Sequence, residues 1–413
     1  MKNIKKKIAI IGAGISGLYL AWKTSKKFDV TIYEKNNYFG GHSNTVDVKL
    51  KKKIPIDTGF IVFNKKNYPN LTNCFKKLKI PIEKSNMSFA VDLQDEDFYY
   101  SGSLNGLFAQ KKNFFKKNYW LMLKEIINFY KNSKNHIKKN DNYTLEEFLN
   151  KKKYSNDFKN KHIYPMASAI WSTKKGVINK MPISSFINFF TNHGLLNFFN
   201  RPQWYTVSGG SREYVKKIMQ DTKAKFEKKN KVTSLKNLGK KILVITNNNK
   251  IKYDYVICAC HADEAGELIK KIDYKISKIL KSFKYSKNEV YLHSDKRLMP
   301  RNIKIWSSWN YLSFKKSENS CFTYWMNKLQ NINLKKNFFL TLNPPFKPNK
   351  IFYKTIYTHP IFTEKSMKIP KKLIKFQGKK RVWFCGSYFS YGFHEDAVKS
   401  SVKVEKLLKK ENA

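Results

Sequence analysis

Three glycines, Gly12, Gly14 and Gly17, stand at the spacing G-x-G-x-x-G inside the run KIAIIGAGISGLYLAW, residues 7–22. This spacing suits one task, holding a diphosphate against backbone. Gly12 permits the tight turn, Gly14 lets the main chain approach the phosphates, and Gly17 lets the following helix lie close on its sheet. The N–H groups of that helix start, with Ser16 in its first turn, then face the anion. Glu34 follows Gly12 by 22 residues, the separation at which a carboxylate accepts from a ribose hydroxyl. These features read together as a dinucleotide clamp. Near the other end, WFCGSYFSYGFHEDAVKSS (383–401) sets Gly386 after a short apolar run and His394, Glu395 and Asp396 at the head of a helical pattern.

Elements must hold these groups in place. Residues 7–11 read as a buried strand, 15–26 as a helix with Leu18, Ala21 and Trp22 on one face, and 29–35 as the next strand, which makes a βαβ start. Residues 104–138 read as helical and lysine-rich, and 184–199 as helical and aromatic. Thr144 reads as an N-cap with Glu147 closing its capping box. From 228 to 260 short strands alternate with Asn/Gly turns, Cys258 and Cys260 sharing one strand face. The last segment reads strand, glycine turn, helix, with fraying after Leu408. There is no internal repeat, and 413 residues exceed one ordinary core.

NYFGGHSNT (37–45) adds a second glycine pair, Gly40 and Gly41, followed by His42, and IDTGF (56–60) adds Thr58 and Gly59. These resemble the second glycine motif and the loop beneath the flavin in the glutathione-reductase-type FAD fold, in its amine-oxidase branch. That branch usually carries Arg where His42 stands. KVTSL (231–235) resembles the strand that brackets the adenine, with Val232 in contact, and the segment around Gly386 resembles the closing flavin motif. There many relatives carry an acid where this chain has Ser387. With DTGFIVFN, YPNLT, AIWST, NHGLL, RPQW, GGSREYV, CHADEA, WNY, YWMN, TLNPP and GFHED, the whole chain resembles a bacterial family of FAD-binding, amine-oxidase-like proteins.

The resemblance implies an α/β fold: a Rossmann-type FAD-binding domain (1–60, 205–265 and 375–413) interleaved with a substrate domain (61–204 and 266–374). It implies FAD contacts at Gly12, Gly14, Ser16, Gly17, Glu34, Gly40, Gly41, His42, Thr58, Gly59, Val232, Gly386, His394 and Glu395. The last helix would aim its dipole at charge developing on the reduced ring; Glu395 and Asp396 read equally as acids complementing that dipole. Relatives often neighbour cyclopropane-fatty-acid-synthase-like methyltransferases, which suggests acyl-chain chemistry.

Trp309, Tyr311, Tyr324, Trp325 and Tyr391 are candidates for the substrate pocket. They could cage an ammonium or guide an apolar chain, and each reads equally as core. His193, His261 and His293 read as hydrogen-bonding structural groups rather than bases. Arg212, at the start of the helix after Gly209 and Gly210, reads as a phosphate or a structural contact. Lys296 is the nearest lysine to a flavin-facing position, with poor alignment. No catalytic residue stands out.

Lys and Arg number 81 against 30 Asp and Glu, a net charge of +51. The charge is scattered, as compositional drift would scatter it, yet it also suits an anionic partner. In 104–130, Leu107, Phe108, Phe114, Phe115, Tyr119, Trp120 and Leu123 interleave with lysines. That reads either as a core-facing helix with a basic back or as an interfacial helix on anionic lipid. Nothing but charge points to nucleic acid. Five irregularly spaced cysteines without a CxxC pair suit a reducing compartment and argue against zinc. The opening apolar run breaks into glycines before it could serve as a signal peptide, and no stretch reaches the ~18–20 apolar residues of a span. The expectation is a cytoplasmic FAD-dependent oxidoreductase, peripheral at most on the inner membrane face, that passes a hydride from a hydrophobic substrate, a lipid acyl chain, to flavin N5. The alternatives are an amine oxidase and a non-catalytic flavin-binding protein.

Overall fold

The structure is a computed structural model and describes residues 5–136, 143–171, 173, 175–197, 200–314 and 321–411. Five strands form a wholly parallel sheet in the order Ala224–Glu227, Asp29–Tyr33, Lys7–Ile11, Tyr255–Cys258, Val382–Phe384. Their near-continuous apolar runs follow from burial on both faces. In Lys7–Ile11 the alternation is visible residue by residue. Ile8 and Ile10 pack on the side of the glycine helix (Ile15–Thr24) and the C-terminal helix (His394–Glu411), which lie against each other. Ala9 and Ile11 face the other core, closed by the antiparallel strands Val232–Asn237, Ile242–Thr246 and Lys250–Tyr253 and by helices Ala262–Ile269 and Tyr274–Lys281.

A second sheet has seven strands, in the order Ile351–Ile361, Lys284–His293, Phe339–Leu342, Cys321–Trp325, Trp309–Ser313, Phe89–Leu93, Phe98–Ser101. All pairs are antiparallel except Trp309–Ser313 with Phe89–Leu93. An aromatic-rich helical layer, which includes Lys117–His136, Tyr164–Trp171 and Ile183–Asn192, covers part of it. The parallel sheet with flanking helices and this mixed second sheet make the chain α/β. Among the described residues no helix is long and apolar enough to cross a membrane.

Local expectations and structure differ in places. The helix expected over 104–138 is a short helix Leu104–Leu107, a 3-10 turn Lys111–Phe115 and a helix Lys117–His136. The break has a tertiary cause: Gln110 accepts from Tyr99 N at 3.0 Å and donates to the Asp97 carbonyl at 2.8 Å, pinning the chain to a β-turn. Residues 137 and 138 lie outside the described residues. The helix expected over 184–199 stops at Asn192, because Gly194 turns the chain with φ +65° and a Cβ there would meet Pro202 Cδ at 2.5 Å; residues 198 and 199 lie outside the described set, as do Ser172 of AIWST and residues 1–4. The Thr144 capping box with Glu147 is present. The strand ends at Cys258, so Cys260 does not share its face but sits in the following turn. The last helix runs on to Glu411 without fraying at Leu408.

Candidate functional site

The glycine turn lies at the carboxyl end of the parallel sheet, where open α/β folds bind ligands. Gly12 has φ +104°, and a side chain there would meet the Ala259 carbonyl oxygen at 2.8 Å. At Gly17 a Cβ would lie 2.0 Å from the Gly12 carbonyl oxygen, so the helix can start this close to the strand only with glycine. Gly14 is different: a Cβ there would meet nothing within 4 Å. It is the N-cap of the glycine helix and offers no side-chain cap, which leaves the first-turn N–H groups facing open space. Ser16, buried in the first turn, reaches the Ala259 carbonyl at 3.4 Å.

The second glycine pair closes on the first. Gly40 N donates to the Ala13 carbonyl at 2.8 Å, and a Cβ at Gly41 would stand 3.2 Å from Gly14 Cα. Glu34 is buried at the end of its strand, where its carboxylate accepts from Ala13 N at 3.0 Å and Asn36 N at 2.9 Å. A carboxylate has about four acceptor sites, so two remain for a ribose diol. Open space at Gly14, an uncapped helix start and a carboxylate with spare acceptor capacity fit the diphosphate and ribose of a dinucleotide. Val232 opens the antiparallel strand Val232–Asn237 and is buried in the core on the same side as Tyr33.

His42 points from the second glycine motif into a group that sequence alone did not assemble. Its ring stacks on Tyr357 at 4.9 Å and lies 5.4 Å from His359 and 6.3 Å from His261. His42 Nε2 is shielded from solvent and has no hydrogen-bond partner. Burial, with repulsion from His359, His261 and His394, holds the imidazole well below its ordinary range. His359 Nδ1 meets Asn288 Nδ2 at 3.0 Å, and burial lowers it to about 4. His261 stacks flat on Tyr285 at 4.6 Å.

Gly59 lies under this group, where a Cβ would come within 2.2 Å of the His42 carbonyl oxygen. The Thr58 hydroxyl and Tyr357 hydroxyl are 2.8 Å apart, and Asn44 Nδ2 donates to both, at 3.1 Å each. His394 heads the last helix, stacks on Phe60 at 3.8 Å and reaches Ser43 Oγ at 3.0 Å. Gly386 lies before it and donates its N–H to Ser400 Oγ at 2.9 Å. Glu395 turns elsewhere: its carboxylate accepts from Asn70 N, Asn70 Nδ2 and Leu71 N. It ties the start of the helix Pro69–Lys77 to the start of the last helix. Asp396 accepts from Tyr391 N at 3.1 Å and Phe393 N at 3.0 Å.

The aromatic candidates fall into separate places. Trp309 and Tyr324 are paired across neighbouring strands, 4.8 Å apart at 74°. Tyr311 packs edge-on against Phe322 at 5.5 Å. Trp325 follows Tyr324 along the strand and so faces the other way. It lies against Trp306 and donates to Asn337 Oδ1 at 3.0 Å. Tyr391 stands 5.9 Å from Phe189, which itself stacks on Phe393 at 4.7 Å. Tyr311 borders the same aromatic core as Tyr391. Arg212 forms a two-pronged pair with the Asp47 carboxylate, at 2.7 and 2.6 Å, which is a structural contact rather than a phosphate contact. Lys296 is exposed on a 3-10 turn. Tyr357, His359 and Asn44 were not singled out from sequence; a signal was Pro360 in an otherwise strand-like run, which fits an edge strand.

The model of the flavin containing amine oxidoreductase family matches residues 15–334, well over half of the chain. Comparison with curated proteins gave no match. Among solved structures, a CLA-producing fatty acid isomerase from P. acnes superposes with a TM-score of 0.68 at 12% identity, covering 99% of both chains. Cyclohexylamine oxidase from Brevibacterium oxydans gives 0.66 at 13%, covering 98% of this chain and all 100% of its own. A redesigned putrescine oxidase gives 0.67 at 11%, covering 98% and 99%. At these identities the likeness is one of fold. FAD is thus the cofactor of this chain, which belongs to the flavin containing amine oxidoreductase family.

Proposed function

We propose that this FAD-dependent oxidoreductase takes its hydride from a hydrophobic substrate, a lipid acyl chain, rather than from an amine. Bound FAD supplies the two-electron acceptor. The chain's own residues supply position and dryness: the Asn44–Thr58–Tyr357 hydroxyl network fixes the loop after the second glycine pair, and Phe189, Phe393 and Tyr391 exclude water. The observation that carries the reading is the edge-to-face packing of the aromatic candidates. Trp309 with Tyr324 at 74°, Tyr311 with Phe322 at 62° and Tyr391 with Phe189 at 61° spend their rings on one another. An amine cage needs ring faces turned towards a cation. Rings already packed edge-on against their own neighbours suit a hydrocarbon, which asks only for apolar surface. The fold hosts both chemistries, since its neighbours include a fatty acid isomerase and amine oxidases.

The test is anaerobic bleaching of the flavin absorbance by unsaturated or methylated acyl lipids and, separately, by primary amines and polyamines. Lipid bleaching with inert amines is expected. Rapid bleaching by an amine with inert lipids refutes the reading. Tyr391→Leu separates the two further: an apolar wall tolerates it, whereas a cage loses most of its rate.

A further inference from the structure

We infer that the segment from Leu104 to Leu121 docks this protein on an anionic lipid surface. Large apolar side chains stand in solvent there. Phe115 is 86% exposed, Leu104 80% and Phe114 54%, with Phe108, Trp120 and Leu121 at 39–45%. Single exposed apolar residues are ordinary, but a contiguous group is not. The four rings are contiguous. Phe114 meets Phe108, Phe115 and Trp120 at ring distances of 6.1, 5.8 and 5.3 Å, and Trp120 Nε1 donates to the Phe114 carbonyl at 2.8 Å. Ile303, 69% exposed, belongs to a turn from a distant part of the chain that packs against the helix Leu104–Leu107, and it widens the patch.

The cluster is not a core face left open by chance. The helix Lys117–His136 already buries its apolar stripe, Tyr119, Met122, Ile126 and Phe129, in the helical layer. Trp120 and Leu121 lie off that stripe. The break at Gln110 and Asn113, both buried and bonded to each other, is what pushes Phe114 and Phe115 outward. The result is a ring cluster raised on a tight turn.

Its surround selects the partner. Lys111, Lys112, Lys116, Lys117 and Lys124 are all exposed around it; Lys112 pairs with Asp97, and Lys304 adjoins Ile303. Aromatic side chains with a lysine rim match the boundary between headgroups and acyl chains of an anionic leaflet. A second copy of this chain is the wrong occupant, since it carries +51 and the same lysine rim. Docking and lipid oxidation are separable, so either can fail alone.

The experiment uses the FAD-loaded full chain and cosedimentation with vesicles of phosphatidylcholine alone or mixed with phosphatidylglycerol. Strong binding to the mixed vesicles is expected, falling as salt shortens the reach of charge below about 8 Å. Phe114→Ser with Phe115→Ser should weaken it at least tenfold at fixed salt. Lys111→Glu with Lys116→Glu and Lys117→Glu should remove the preference for phosphatidylglycerol. All these sites are exposed, so FAD content and unfolding should match the parent protein. The inference is overturned if the double Phe variant binds like the parent, which would mean charge alone acts, or if both vesicle types bind equally. It is also overturned if neither vesicle binds; a dimer in sedimentation velocity that the Phe substitutions abolish would then identify a second copy as the occupant.

Discussion

Gly14→Val and Gly17→Ala both add a side chain to one glycine motif, yet the structure assigns them opposite consequences. Gly14 has φ −71° and ψ 178°, which any residue adopts, and open space where its Cβ would go. The substitution trades a modest N-cap cost against a stiffer unfolded chain, so stability without cofactor should stay within about 1 kcal/mol of the parent. Its branched side chain fills the approach to the first-turn N–H groups. Losing two hydrogen bonds to a charged group, at roughly 1.5–3 kcal/mol each, weakens FAD binding by about 100-fold or more. At Gly17 the added Cβ would sit 2.0 Å from a backbone oxygen. Helix and strand must part, which costs about 3 kcal/mol, the upper end of overpacking penalties because no flexible side chain can yield. Urea unfolding of FAD-stripped protein and fluorescence titration with FAD measure the two quantities independently. The reasoning fails if Gly14→Val binds FAD within threefold of the parent, or if it destabilises the stripped protein as much as Gly17→Ala does.

Glu34→Ala should weaken FAD about tenfold and also loosen the stripped protein, because the same carboxylate accepts from Ala13 N and Asn36 N; unchanged unfolding would show that it serves the cofactor alone. Acid should destabilise the FAD-free protein. Burial lowers His162 and His394 to about 3 and His193, His293 and His359 to about 4. Between those values and about 6.5 the unfolded chain therefore binds more protons, and stability falls as pH falls. Burial raises Asp57 and Asp396 to about 6, which acts in the opposite sense: their share falls as pH rises from about 4 to 6. Five imidazoles outweigh two carboxyls, so urea midpoints should drop from pH 6.5 to 4.5, and Asp396→Asn should steepen the drop. A midpoint that climbs on acidification would contradict this.

The parts of the site legible in the sequence are those whose geometry is local. A glycine that must clear its own turn, as Gly17 clears Gly12, leaves a fixed spacing, and so does Thr144 capping Glu147. The alternating strand Lys7–Ile11 is legible for the same reason. What the sequence could not show is which polar groups distant elements would claim. Glu395, at the head of the last helix, looks like a cofactor or dipole residue; only the fold reveals that Asn70 and Leu71 take its oxygens. Gln110 and Asn113 sit inside a helical pattern, and the tertiary hold of Asp97 and Tyr99 on Gln110 breaks it. His42 was visible as a departure from the family's arginine, but its setting needed Tyr357 and His359 from one distant strand and His261 from the start of a distant helix. That setting also gives the departure a physical sense. An arginine there would bring a permanent charge against two further imidazoles, whereas His42 can stay neutral in the dry cluster and still keep Nε2 unpartnered for a ligand.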